Sequence, residues 1–265
     1  MSKLRLLFSK EAQASYISHL DLMRTFQRVF PRTGLKISHS NGFHPHAILS
    51  VVLPLPVGQS SVCELLDLTV DQESDGSGIV EKLNSGFPAG LRALDCYAPQ
   101  RPVRELAFVQ AELQFLYDAG VPAGCTAELE ELFRRPSLII QKKTKRRELA
   151  DVDIRPLIRS LSFSEEEGKV LVQAVVAAQN PGLNPALLGN AVAKELPELA
   201  PDFVRVRRTA LLDENGEIFR FFWKKSLQSS GNYDILFELE KGWSSAVGEP
   251  RCFLRPKKAV RTPIN

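Results

Sequence analysis

The 265-residue chain is 44% hydrophobic and 25% charged, ordinary globular usage with enough apolar residues to bury a core unaided. A formal net charge of +3 is too small to imply a polyanionic partner by itself, and no apolar run approaches the ~18–20 residues that cross a bilayer. The first residues enter a strand pattern at once, without the long apolar core and small-residue site of a signal peptide, so a cytoplasmic protein with no membrane partner is expected.

Residues 3–8 alternate as a strand, with Leu4, Leu6 and Phe8 on one face. Ser18 reads as a helix N-cap with Asp21 in capping-box position, and Leu22, Met23, Phe26, Val29 and Phe30 follow at helical spacing until Pro31 and Gly34. Leu35 to His39 is a short extended piece, residues 40–45 are turn chemistry, and Ala47 to Leu53 is extended again. Val62 to Val70 is a strand, Ile79, Val80 and Leu83 suit a helix, and Leu91 to Tyr97 is a strand. The order is β-α-β-β-α-β, the ferredoxin-like pattern, over residues 1–99.

Pro99 and Pro102 mark a linker, and the order then repeats over 103–216. Val109 to Tyr117 alternates as a half-buried strand, and Thr126 opens a short helix. Leu138 to Ile140 is extended and leads into a basic hairpin tip. Asp153 to Ile158 is a helical turn opened by Pro156, Lys169 to Ala177 a strongly apolar strand, Asn184-Pro185 a helix start, and Val204 to Leu212 a strand. The fold class expected is therefore α+β, with tandem ferredoxin-like units, each a four-stranded antiparallel sheet with two helices. Residues 217–265, aromatic then basic, form an added C-terminal extension.

Three basic groups stand out: Lys142, Lys143, Lys145, Arg146 and Arg147; Arg205, Arg207 and Arg208; and the tail residues Arg251, Arg255, Lys257, Lys258 and Arg261. They read either as solvated surface or as phosphate contacts, the first group with Arg205 and Arg207 of the second being the candidate RNA-binding residues. All four histidines, His19, His39, His44 and His46, lie between positions 19 and 46. If the start of the first helix and the end of the second strand share one sheet edge, His19 and Asp21 approach His39 and His46. Three readings stay open there. His19, His44 and His46 are candidate metal ligands; His19, Asp21, His39 and His46 are candidates for metal-free acid–base chemistry; or the cluster is loop scaffold, with Asp21 capping its helix.

Ser18-His19-Leu20-Asp21-Leu22-Met23-Arg24 resembles a hallmark of the radical SAM-linked protein family. Ser40 to His46, followed by Leu53-Pro54-Leu55-Pro56-Val57-Gly58, Glu64 and Asp67, is similar to its second hallmark. Asp153 to Ile158 and Arg205-Val206-Arg207-Arg208-Thr209 resemble later ones, so that the likeness covers about residues 1–212. Ala47 and Ile48 depart from the pattern, which has proline and a basic residue there. The resemblance implies a domain found beside, or fused to, a radical SAM protein with a cobalamin-type domain. The four cysteines, Cys63, Cys96, Cys125 and Cys252, are too widely spaced for the thiolate trio of such an enzyme. An iron–sulfur cluster, S-adenosylmethionine and a cobalamin are therefore expected of the partner and no cofactor of this chain. The role expected is an accessory protein that binds RNA or an RNA-containing assembly and presents it to a radical SAM enzyme. The alternatives are an enzyme at the histidine edge, a phosphodiesterase or metal-dependent modifier, and a protein–protein adaptor without nucleic acid.

Overall fold

In a computed structural model the described residues are 1–219, apart from 72, 73, 75 and 144–148. The first half contains β1 (Ser2–Lys10), α1 (His19–Arg32), β2 (Leu49–Val51), β3 (Ser60–Val70), α2 (Ile79–Gly86) and β4 (Leu91–Tyr97). The second contains β5 (Phe108–Leu116), α3 (Cys125–Arg134), β6 (Ile139–Lys143), β7 (Leu149–Asp153), β8 (Ile158–Glu166), β9 (Lys169–Ala177), α4 (Leu187–Glu195) and β10 (Phe203–Leu212). The expected extension lies, from residue 220 on, outside the described residues.

The architecture is mixed α/β, with four α-helices among the described residues and one eight-stranded, mostly antiparallel sheet in the order β4-β1-β3-β10-β5-β9-β8, β2 pairing β3 beside β10. Every pairing in it is antiparallel except β3 with β10. The sequence places the second strand of the repeat at 138–140. That segment instead pairs with β7 in a separate two-stranded hairpin, and Ile158–Glu166 takes the place beside β9. No helix among the described residues is long and apolar enough to cross a membrane.

Two cores follow from the patterning. Leu4, Leu6 and Phe8 of β1 meet Leu22, Phe26, Val29 and Phe30, the apolar stripe of α1. Phe26 stands edge-on to Phe8 at 5.2 Å and stacks on Phe30 at 5.7 Å, the offset contacts that aromatic quadrupoles favour. In the second half Val109, Ala111, Leu113 and Phe115 of β5 and Val206 of β10 pack with Leu129 and Leu132 of α3 and Leu188 and Val192 of α4. Gly90, at φ +86°, permits the close approach of β4 to the end of β1, because a Cβ there would stand 2.4 Å from the Glu11 carbonyl oxygen.

The halves join through very little backbone: Arg207 pairs with Ser60 and Arg208 with Ser61. Side chains do the rest. Arg208 Nη1 donates to Glu64 Oε1 at 2.8 Å and to the Leu53 carbonyl at 2.9 Å, and both members of the ion pair are buried. Lys10, also buried, donates to the Ser15 carbonyl at 2.9 Å, and burial pushes its pKa down while Glu64 partly offsets the shift. Around this cluster Arg207 donates to Glu11 at 3.0 Å and Gln59 to Asn184 at 2.8 Å. A second buried group ties the linker down. Arg5 grips Asp67 with two bonds of 2.6 and 2.9 Å and donates to the Arg101 carbonyl, while Arg101 donates to Asp213 at 2.8 Å. The ring of Phe219 lies 5.6 Å from the Arg5 guanidinium and 5.0 Å from that of Arg101.

Removing one member of a buried pair strands the other charge. Glu64→Ala is expected to cost about 3–5 kcal/mol in urea denaturation, and Glu64→Leu with Arg208→Met to recover most of it. Equal loss in both variants would show that the charge pairing is not what matters. Cys63 gives a pH test of the same region. Burial, aided by the Glu64 charge, pushes its thiol from 9.0 up to about 12. Above pH 9 the unfolded thiol ionises while the folded one keeps its proton, so its contribution falls as pH rises. The stability advantage of the wild type over Cys63→Ala is expected to shrink by up to about 1.4 kcal/mol per pH unit above 9. A constant difference would contradict the raised thiol pKa.

Candidate functional site

β1 and β2 both pair antiparallel with β3, so they run the same way. α1 carries the chain back from the end of β1 toward its beginning. His19 and Asp21 open that helix, whereas His39 and His46 follow it and precede β2. Fourteen helical residues, about 20 Å at 1.5 Å per residue, separate the two groups. The expected meeting of His19 and Asp21 with His39 and His46 does not occur. The segment that reads as a second strand is instead one arm of a hairpin at the opposite end of the sheet.

Asp21 has local work. Its backbone N–H donates to Ser18 Oγ at 3.2 Å, its carboxylate accepts from that hydroxyl at 2.7 Å, and Arg24 adds a 3.2 Å bond. The Ser18 hydrogen bond, with Arg24, holds the carboxyl below its ordinary pKa. This is a helix cap. His19 is exposed beside it.

His39 and His46 belong to a hairpin of residues 38–48. His39 bridges Ala47, Ser40 N–H donates to the His46 carbonyl at 2.9 Å, and Ile48 N–H to the Ser38 carbonyl at 2.8 Å. Ser40 Oγ lies 2.8 Å from His46 Nδ1 and accepts from the His46 N–H at 3.2 Å. With its N–H bond already received, the hydroxyl is free to donate to Nδ1, which leaves Nε2 as the outward group. The hairpin base is pinned to β3: Ser38 N–H donates to the Thr69 carbonyl at 2.8 Å and Ser38 Oγ to Asp71 at 2.5 Å.

Between this hairpin and the last turns of α1 is a cleft of about 670 Å³, within the range of small-molecule sites. Phe30, Leu35, Ile37 and Pro45 give it apolar walls; Gln27, Lys36, His39, His46 and Asp71 supply polar groups. His46 also borders a smaller cleft of about 340 Å³ over Leu49, Leu68 and Thr69. His44 is exposed at the hairpin tip beside the fully exposed Phe43 and lines neither cleft. Among the described residues no three His, Cys, Asp or Glu side chains are placed to hold a metal.

The basic residues fall on different faces. Along β10, Phe203, Arg205 and Arg207 are exposed, while Val206 and Arg208 are buried. Alternation and register carry the exposed face across the sheet: Ser162 pairs with Gln173, Gln173 with Glu112 and Glu112 with Arg207. The next row is Ser164, Leu171, Gln114 and Arg205, in which Arg205 donates to Gln114 at 3.2 Å. Helices α3 and α4 lie on the other side, with Val206. The β6–β7 hairpin belongs to that helix side, since Ile140 joins the same core and Lys194 of α4 donates to the Ile139 carbonyl at 2.6 Å. Lys142 and Lys143 end β6; Lys145, Arg146 and Arg147 lie outside the described residues. Arg205 and Arg207 thus share a face with Phe203, Gln114 and Ser162, which the sequence reading misses although the period-2 alternation signals it.

The family described as "Uncharacterized protein conserved in bacteria (DUF2344)" matches over residues 3–185, and the chain belongs to it. No curated protein matches the chain. Among solved structures, a Cbf5-Nop10-Gar1 complex is similar at 12% identity and a TM-score of 0.44, over 78% of this chain and 48% of that one, so the chain spans about half the length of that match. A protein of unknown function from Galdieria sulphuraria is similar at 9% identity and a TM-score of 0.25, over 78% of this chain and 98% of that one.

The cap assignment makes a direct claim about stability. Ser18→Ala removes the acceptor of the Asp21 N–H and is expected to cost about 1 kcal/mol in chemical denaturation. A change below a few tenths would leave Ser18 without its capping role.

Proposed function

We propose that this DUF2344 member is an accessory protein, built from two ferredoxin-like units, that binds RNA or an RNA-containing assembly and presents it to a radical SAM enzyme. The observation that carries the RNA reading is the single strand face of β10 on which Phe203, Arg205 and Arg207 stand exposed at alternate positions. An aromatic ring stacks on any base, and guanidinium groups pair with successive phosphates. The hydroxyls of Ser160, Ser162 and Ser164 and the amides of Gln114 and Gln173 supply hydrogen-bonding groups across the rest of the face. Arg207 is held by Glu11 in the free protein and exchanges that carboxylate for a phosphate on binding.

The strand orders support the ferredoxin-like reading: β4-β1-β3-β2 in the first half and β10-β5-β9-β8 in the second, antiparallel throughout. The resemblance of residues 18–24 and 40–46 to the hallmarks of radical SAM-linked proteins supports the partner. In this reading the iron–sulfur cluster, S-adenosylmethionine and cobalamin belong to that partner.

Anisotropy titrations of labelled single-stranded RNA against salt test the face. Arg205→Ala with Arg207→Ala is expected to lower the slope of log K against log salt by about 1.4, two phosphates at ~0.7 each. Phe203→Ala is expected to weaken binding by about 1–3 kcal/mol with the slope unchanged. Absence of binding at low salt would overturn the proposal. A slope that responds only to serine replacement of Lys142, Lys143, Lys145, Arg146 and Arg147 would overturn the β10 face as the RNA contact and move it to that basic run.

A further inference from the structure

The cleft at the C-terminal end of α1 has a donor and acceptor pattern that selects a ligand class. Its apolar lining is the exposed Pro31 and Pro45 beside the nearly buried Leu35 and Ile37, with no charge among them. Its polar groups are of both kinds. Lys36 donates, Asp71 accepts, His46, with Nδ1 taken by Ser40, donates through Nε2, and the His39 imidazole presents either. One of Asp71's oxygens is occupied by Ser38 Oγ, which leaves the other for a ligand.

Helix α1 forms the facing side of the cleft. Pro31 lies inside the helix, four residues after Gln27, and both line the cleft. Proline has no N–H, so the Gln27 carbonyl lacks the partner that every other interior helical carbonyl has. The carbonyls that follow it are provided for: the N–H groups of Thr33, Gly34 and Leu35 bond those of Val29, Phe30 and Pro31. The helix thus ends capped. On the opposite wall Ser40 orients the His46 ring through Nδ1.

Apolar walls with acceptors and donors around a rim fit a flat heterocycle that carries both on its edge, and the exposed Lys36 ammonium at the same rim fits an attached anion. We propose that this cleft binds a nucleotide, its base on the apolar lining with its edge toward His46 and Asp71, and its phosphate on Lys36. The site lies in the first half and is separate from the β10 face. It stands whether or not that face binds RNA. The nucleotide is either free in solution or the terminal residue of an RNA chain.

Calorimetric titration of the full chain with AMP, GMP, CMP, UMP and the matching nucleosides tests this. The expected result is saturable sub-millimolar binding of at least one mononucleotide. His46→Ala weakens it five-fold or more, and Lys36→Ala weakens the nucleotide but not the nucleoside. Unchanged thermal melting of both exposed-residue variants excludes misfolding as the cause. A short oligoribonucleotide added in competition separates the sources: displacement of the mononucleotide identifies an RNA end, and no displacement a free nucleotide. The inference is overturned if none of the four mononucleotides binds, or if their binding ignores both variants. It is also overturned if binding is lost through Arg205→Ala with Arg207→Ala and not through the cleft variants.

Discussion

Arg208 and Glu64, 144 positions apart in the sequence, meet at 2.8 Å with almost no access to water. Two charges removed from water together cost several kcal/mol of hydration each, and only a short, well-made contact offsets that. This one is reinforced by the Leu53 carbonyl on the arginine and by the positive field of Lys10 on the glutamate. Such a pair tolerates little displacement, so it fixes β10 against β3 where the backbone itself supplies only two paired positions. The antiparallel strands of both halves are thereby held in one sheet, and the linker cluster of Arg5, Asp67, Arg101 and Phe219 closes the seam from another side.

The orientation of the candidate RNA face follows from that constraint. On a pleated strand, turning one side chain inward turns its neighbours outward. Arg208 held against Glu64 places Arg207 on the open side, where Glu11 of the first half meets it, and Arg205 and Phe203 follow at alternate positions. The junction and the proposed RNA face share the strand, and Arg207 takes part in both. The cleft beside α1 has a different local origin: a proline in the last helical turn and a hairpin pinned by Ser38 to Asp71.

What the sequence made legible was local. The alternation of Leu4, Leu6 and Phe8, the helical stripe ending in Val29 and Phe30, and the even spacing of Val109 to Phe115 each declare one buried face, and each forms as read. β8 escapes because its outward residues are Ser160, Ser162 and Ser164, and serine is also the residue of turns. β2 is only three residues long. The junction is invisible for another reason: Arg208 stands in a run with Arg205 and Arg207 and reads as surface, and nothing near it in sequence announces a glutamate 144 positions away. The histidines mislead in the opposite sense. Their closeness along the chain suggests one site, but a 14-residue helix carries His19 to one end of the sheet and leaves His39 and His46 at the other.

The most direct test of the account asks where RNA lies on the protein. Ultraviolet cross-linking of a 4-thiouridine-substituted single-stranded RNA, followed by peptide mass spectrometry, reads this without any substitution. Cross-links concentrated on Phe203 and on the outward positions of β5 and β9, such as Gln114 and Gln173, are the predicted result. Cross-links confined to the exposed surfaces of α3 and α4, on the opposite side of the sheet, would contradict it.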